Sequence, residues 1–594
     1  MRCVGLGSWS LCVFQRTGAY SMVVTHDTVF EVTLGLRNIH GVADTDNVDL
    51  FASATPKIIC SHVKEKAEMS SLFVHEESVP DRAGGIPQST ENTDETPLSF
   101  DTILNQRRKE SSASILIEVE NRHKITELCQ ECSRYGNIRK AYYYADNSHK
   151  CQVLLEFSNS DEAQELLQSC GHLSSDGFPV RTRLLKYAPK KATRPIKKAF
   201  SVNIEASPNI TPQTQAIKLI QSSTIAEQMT QFYEMEKLSD LETRLGFVVC
   251  RQVEEFISGL YPKGQVLPFG SLVNGFGRHN CDIDMVYYVP ETTESGGQLY
   301  FQDKNQAMND RTLVQRVLET LGDLLHYVVP GVSEVQRILR ARVPIVKFQH
   351  NVVGRECDLT LNNMSGVHMS RLLHSCTQLA PTLCPLLFTV RCWAMAQGVT
   401  TKVPGTWITN FQLTLLAIFH LQQCGLLPSL RDLEDKKRLK IWQKSRLPYR
   451  RAEELEDLLR SFFEYYASFN FKSKGIAPFS GQTLEKPEYT AMFVQNPLDR
   501  QLNASRNIGL SDLKKLQSRM ADALSLMDNA PRKITMEKPW GIMALFTAQT
   551  AAARRQQDAM HRRFQVHELF QEGKEAGENY VIEATMSGVK TTTS

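Results

Sequence analysis

No stretch of the 594 residues approaches the roughly 18 or more uninterrupted apolar residues of a membrane-spanning helix, which predicts a soluble protein. An excess of one charge is lacking too. The chain carries 68 Lys and Arg against 65 Asp and Glu, a net charge of +3, so a polyanionic partner has to be met by local patches rather than by the field of the whole molecule. Its 14 cysteines show no framework spacing, which in so long a chain argues for reduced thiols and against a disulfide scaffold. Cys129 and Cys132 form the one close pair; a single CxxC cannot complete a thiolate zinc site, and Leu128 and Tyr135 beside it read as a helix facing a core. No acidic residue precedes Asp27, while Arg2, Arg16 and several Ser and Thr are present. This is the composition of an organelle transit segment, and it predicts import into the mitochondrial matrix. The apolar stretch around Cys12 to Phe14 is too interrupted for a secretory signal.

At about 150 residues per domain the length predicts several units plus tails. Residues 1–42 are expected to be the transit segment. Residues 43–112, with Pro80, Pro87, Pro97 and the acidic run Glu91 to Glu95, are expected to be a disordered linker. Over 113–188 the pattern changes: Ile115-Leu116-Ile117, a helical stretch Ile125 to Tyr135, Ala141 to Tyr144, Val153 to Phe157, a helix from Asp161 to Cys170 and a strand over Val180 to Lys186. This βαββαβ order resembles an RNA-recognition-motif (RRM) fold. That family stacks bases on aromatics of its third strand, whereas Gln152 and Leu154 stand at those positions here. A subunit interface, and with it a homodimer, or a support for the catalytic core is as good a reading as base recognition. The linker 189–213 is basic (Lys190, Lys191, Arg194, Lys197, Lys198), a run that either contacts phosphate or is simply solvated.

Residues 214–365 begin with helical periodicity and lead to Val266-Leu267-Pro268-Phe269-Gly270-Ser271, then ten residues, then Asp282-Ile283-Asp284-Met285-Val286. Two acids at i and i+2 on a strand share a face, and carboxylates are hard ligands suited to Mg2+ or Mn2+. Gly270 lets the backbone approach a triphosphate, and the Ser271 hydroxyl can donate to it. Asp358, on the alternating strand Glu356 to Leu361 after a strand Val343 to Gln349 and a turn at Gly354, is the candidate third acid; Glu356 shares its face and competes for the role.

Gly-Ser, Asp-x-Asp and a later strand Asp resemble the DNA polymerase β-like nucleotidyltransferase superfamily. Asn362-Asn363, Arg391-Cys392-Trp393, Pro404 to Phe411, Phe462 to Phe471 and Val494 to Asp499 narrow the resemblance to its noncanonical poly(A) and terminal uridylyl branch, and look most like animal mitochondrial poly(A) polymerases. The resemblance implies an α/β and α+β multidomain protein: the RRM-like domain, a nucleotidyltransferase palm with a mixed sheet over 214–365, a largely helical poly(A)-polymerase-associated domain over 366–545 and a basic tail over 546–594. It implies two divalent ions on Asp282, Asp284 and Asp358, with Asn363 at the nucleotide sugar, Arg391 at the triphosphate and Phe411 stacked on the base. Two features depart from the branch: Met395 stands where relatives often carry a basic residue, and Met369 where uridylyl enzymes place an Asn. Arg506 replaces the His used to favour uracil, which leans towards ATP. The activity implied is addition of AMP from ATP to RNA 3′ ends; UTP addition, or a catalytically silent RNA-binding scaffold, are the alternatives.

Overall fold

The structure is a computed structural model that describes residues 99–146, 149–172, 180–188, 204–206, 212–262, 264–289, 310–401, 405–445, 454–529 and 540–547, together with strands within 2–34 and 580–593. It divides into two compact units. One, comprising 1–96 and 564–594, holds an antiparallel four-stranded meander (Arg2–Leu6, Trp9–Arg16, Ala19–His26, Thr28–Leu34) and an antiparallel hairpin (Tyr580–Thr585, Gly588–Thr593). The tail thus includes a hairpin, consistent with its run of β-branched residues. Residues 35–98, most of the basic linker and Arg554 to Arg563 lie outside the described residues.

The second unit, 97–563, opens with a correction. Residues 100–112, expected to belong to the linker, form helix α1 (Phe100–Ser112). Ser99 caps it by accepting from the Thr102 amide at 3.2 Å, and Phe100 and Leu104, one helical turn apart, are buried in the palm core. Then follow β1 (Ser114–Val119), α2 (Ile125–Cys132), β2 (Ile138–Ala145), β3 (Cys151–Phe157), α3 (Ser160–Ser169) and β4 (Leu184–Lys186). A further edge strand, β5 (Ile204–Ala206), completes a sheet of order β4-β1-β3-β2-β5. The βαββαβ order is as expected, but β4 runs parallel to β1, so the chain after α3 returns to the starting end of the sheet before pairing.

One face of this sheet packs Ile115, Ile117, Val153, Leu155 and Phe157 against Leu128, Cys129, Cys132 and Leu166. Burial pushes the Cys129 and Cys132 thiols up to about 11 and about 12, as for core cysteines. The other face, where an RRM exposes its platform, is covered: Leu116, Tyr142, Tyr144 and Leu154 meet Leu241, Leu245 and Val248. Those three belong to α6, which follows α4 (Pro212–Gln221) and α5 (Ile225–Glu236) and spans Asp240–Ile257. The opposite side of α6 gives Phe247, Cys250, Val253 and Ile257 to the palm core. A helix apolar on nearly every side is one held between two layers.

The palm sheet contains β6 (Gln265–Phe269), β7 (Ile283–Tyr288), β8 (Val332–Ile338), β9 (Ile345–His350) and β10 (Arg355–Leu361), in the order β6-β7-β10-β9-β8. Only β7 and β10 are parallel; the other neighbours are antiparallel. Alternation divides the strands. Ile283, Met285, Val346, Phe348, Cys357 and Leu359 are buried with Leu318, Leu321 and Leu325 of α7 (Asp310–Tyr327), which sends Asp284, Asp358 and Lys347 to the opposite face. The third part is helical: α8 (Ser365–Leu379), α9 (Leu383–Ala396), α10 (Asn410–Gln423), α11 (Glu454–Ser468) and α12 (Leu510–Asn529), with shorter elements between. Trp393, Phe419, Phe462, Phe463 and Tyr466 are fully buried in its core. Among the described residues no single helix is long and apolar enough to cross a membrane.

Candidate active site

Register assembles the site. Asp284 on β7 lies directly opposite Asp358 on β10, Asp358 opposite Lys347 on β9, and Asp284 opposite Phe269 at the end of β6. Gly270 follows at φ +71°, and a Cβ built there would stand 2.2 Å from Asp284 Oδ2, so only glycine lets this turn pass the carboxylate. The Gly270 amide donates to Ser370 Oγ at 2.7 Å, and that hydroxyl donates to Gly366 O at 2.8 Å, fixing the turn to the N-terminal part of α8.

Asp282 lies exposed just before β7. The loop ahead of it is held from three directions. Arg355, almost fully buried, donates from Nε to Cys281 O (2.5 Å) and from Nη1 to Glu242 O (3.1 Å). Glu242 accepts from the Asn280 amide (3.0 Å) and lies 2.7 Å from His279 Nδ1, while also closing the capping box of α6 with Ser239. Arg278 pairs with Glu236. The helix wedged beneath the RRM-like sheet therefore also sets the height of the catalytic loop.

The electrostatics are those of crowded acids. Burial, then the charges of Asp358 and Asp282, push the Asp284 carboxyl up to about 7. Asp282, exposed as a residue but with its carboxyl partly desolvated among the other acids, is also raised, first by that desolvation and then by Glu356. Lys347 lies 2.7 Å from Glu356 and 3.3 Å from Asp358 Oδ1. Burial draws its ammonium down, but Glu356 and Asp358 outweigh it and hold it above its usual range. Asp358 Oδ1 is buried with no aligned hydrogen bond, so the Lys347 contact is an ion pair only. These observations fit divalent cations: neighbouring hard oxygens, an acid raised by burial and by like charge beside it, and a buried acceptor left without a hydrogen bond. Among the described residues the acids do not close into a cage by themselves.

The other expected residues fall around this centre. Ser271 lies in the short 3-10 turn Gly270–Leu272. Asn362, at φ +53°, accepts from the Val289 amide at 2.9 Å and so joins β7 to β10. Asn363 is partly exposed, with its carbonyl turned to Ser365. Arg391 donates from Nη2 to Thr414 Oγ1 (2.7 Å) and from Nη1 to Phe276 O (3.1 Å), and lies over the Phe276 ring at 5.6 Å. Burial lowers it to about 10, which leaves it a cation at neutral pH, with a buried Nε that has no partner. Phe411 is partly exposed in the first turn of α10, behind the Thr409–Gln412 capping box. Arg506 is exposed; its neighbour Asn507 donates to Gly405 O (3.1 Å) and Trp407 O (2.9 Å) and accepts from Gln412, bringing the Arg506 loop onto the segment that carries Phe411. Lys347, Ser370 and Arg355 were missed in the sequence. Lys347 alone had a signal, as the single charge in the strand Val343 to Gln349.

A family model described as "Poly(A) RNA polymerase, mitochondrial-like, central palm domain" matches residues 225–378, and an "RL domain" model matches 99–171. The chain is 33% identical over 522 residues to the mitochondrial poly(A) RNA polymerase of Drosophila melanogaster, covering 81% of this chain and 85% of the fly protein. It is 32% identical to the Homo sapiens counterpart over 75% of this chain and 80% of that one. Crystal structures of mtPAP in complex with ATPγS, with GTP and with UTP each superpose with a TM-score of 0.68 at 28% identity, covering 76% of this chain and 99% of theirs.

Proposed function

The chain belongs to the family of mitochondrial poly(A) RNA polymerases, and from that premise we propose how its palm performs the reaction. It is a mitochondrial polynucleotide adenylyltransferase: an RNA 3′ hydroxyl attacks the α-phosphorus of ATP, pyrophosphate leaves, and the RNA is one adenylate longer. The observation that carries the mechanistic reading is the cross-strand row in which Asp284 and Asp358 stand side by side next to the Gly270 turn.

In this reading Asp282, Asp284 and Asp358 hold two Mg2+ or Mn2+ ions, which when bound lower the hydroxyl pKa and neutralise the triphosphate. The Gly270–Ser271 turn offers backbone approach and a hydroxyl to the β- and γ-phosphates. In the same reading Arg391, held at Phe276 O, serves the triphosphate, and its unpartnered Nε suits a phosphate oxygen. Phe411 offers a ring face to the base and Asn363 an amide to the sugar. Asp358, on the strand between Asp284 and Lys347, is suited to take the proton of the hydroxyl. Orientation and charge do most of this chemistry, since no covalent intermediate is needed.

Base choice is read by Phe411 and Arg506. Crystals of mtPAP hold GTP and UTP as well as ATPγS, so occupancy alone does not discriminate, and competition kinetics are the proper test. With purified full chain, Mg2+ and labelled oligo(A), extension by ATP is expected to exceed that by UTP, and Asp282→Ala with Asp284→Ala is expected to abolish it. A preference for UTP would move the enzyme to the uridylyl branch, and absence of extension with every nucleotide would favour the scaffold alternative.

The RRM-like domain acts as a support. Its sheet face is buried on α6 and is not open to stacked bases, so a homodimer through this domain would use its edges or its helical face.

A further inference from the structure

The palm face that carries the acids does not end at Asp358. The row continues through Lys347 on β9 to Gln336 on β8, and among the described residues no helix covers this outer part: Gln336 is exposed, and Ile338, paired with Ile345, is 39% exposed. The β8–β9 turn adds Arg340, Arg342 and Val343, all exposed. Its backbone is nevertheless held, because Arg311 of α7 donates to Ala341 O at 2.8 Å and Arg340 O at 3.3 Å. The tip is thus a fixed platform with two guanidinium groups and an apolar floor.

Stereochemistry says what approaches from there. Neighbouring strands lie about 4.8 Å apart. The Gly270 turn therefore stands about one strand to one side of Asp284, and Lys347 about one strand beyond Asp358 on the other. With the β- and γ-phosphates over Gly270–Ser271, as the proposed function has it, in-line attack brings the nucleophile from the β9 side. Lys347 on that side is already paired with Glu356, but the exposed cations at the turn, Arg340 and Arg342, are opposite in sign to a phosphodiester chain, and guanidinium planes also stack on unpaired bases.

We propose that the uncovered β8–β9 surface, with Arg340 and Arg342 at its tip and Lys347 at its inner end, is the track that holds the 3′-terminal nucleotides of the RNA. Arg342 Nη2 also lies 4.0 Å from Asp499 Oδ2, on a loop of the helical domain, with both side chains more than half exposed. An exposed pair of this kind is weak, so a phosphate displaces the carboxylate at small cost. Asp499 thereby competes mildly with RNA for the same arginine.

The track rests on the proposed reaction, so its test is made by binding as well as by catalysis. Anisotropy of a labelled 15-mer oligo(A) with the full chain in Mg2+ reads Kd across a salt series. Arg340→Ala with Arg342→Ala is expected to raise Kd about tenfold and to reduce the slope of log Kd against log salt by about 1.4, or about 0.7 for each phosphate of a single strand that no longer meets a cation. Arg340→Lys with Arg342→Lys, which keeps the charge, should retain most of the affinity, and Asp499→Ala should tighten binding about twofold. In extension assays the alanine pair should raise KM for RNA while leaving KM for ATP within about twofold. An unchanged Kd and salt slope in the alanine pair overturns the track, as does a change of oligomeric state in that variant without loss of RNA affinity. A wild-type chain that binds the oligomer and extends it with no nucleotide overturns the proposed reaction instead, and the binding comparison still decides the track.

Discussion

At the scale of single residues the dominant feature is a carboxyl that resists ionisation. Asp284 is raised from 3.8 to about 7 by burial and by its acidic neighbours. In the metal-free protein it binds a proton in the folded state at pH values where the unfolded chain has released it. Its contribution to stability is therefore present at low pH and is lost as pH rises from about 4 through about 7. Asp284→Asn, which cannot ionise, should melt higher than wild type in EDTA at pH 8 and almost equally at pH 4, while extension falls by more than about a hundredfold. Calorimetry at the two pH values checks this, and a lower melting temperature for the variant at pH 8 would sink it. Arg391 is a second residue carrying burial that its fold partners do not compensate: two of its nitrogens are used by Phe276 and Thr414 and the third by nothing.

At the scale of elements, α6 joins everything. On one side it carries Arg244, nearly buried, which contacts Glu156, lies 3.1 Å from Glu110 and donates from Nε to Asp240 at 2.8 Å; Tyr142 donates to the same Asp240 oxygen. Glu156, at 1% exposure, lies on β3 of the RRM-like sheet. Removing one partner of such a cluster leaves buried charge uncompensated, a loss of about 3–5 kcal/mol. Arg244→Met should therefore lower the melting temperature and the yield of folded protein. Adding Glu156→Gln and Glu110→Gln should recover part of the loss, because the orphaned charges go with their partner. Equal stability of Arg244→Met and wild type in urea unfolding would show that the sheet does not depend on α6.

Across the whole of the large unit, buried polar links tie the palm strands to α6, the helix on which the RRM-like sheet rests. His350, 1% exposed at the end of β9, lies 3.0 Å from Gln252 Oε1 on α6, and Gln252 Nε2 donates to Pro330 O at 2.9 Å. Burial lowers His350 from 6.5 to about 4. The unfolded chain takes up a proton that the folded one refuses, so stability is lost as pH falls from about 6.5 towards about 4. Melting temperatures between pH 7 and pH 4.5 should fall less steeply for His350→Gln than for wild type; an identical slope would assign the acid sensitivity to other groups.

The sequence by itself determined what depends on spacing along one strand or helix. Asp282 and Asp284 share a face because strands alternate, Gly270 and Ser271 precede them at a turn, and the βαββαβ order follows from alternating apolar periods. Phe462, Phe463 and Tyr466 belong to a helical core by their own composition. Helix α1 escaped that reading because its apolar residues are few and its partners, α6 and the palm, lie far along the chain. Only the tertiary structure decided that β7 pairs with β10 and β10 with β9, which sets Asp358 between Asp284 and Lys347. It also decided that the RRM-like sheet spends its open face on α6, and that Ser370 holds the Gly270 turn. The physical reason is that register and interhelical packing are fixed by contacts between distant segments, whose free energy depends on mutual fit and leaves no period in either segment alone.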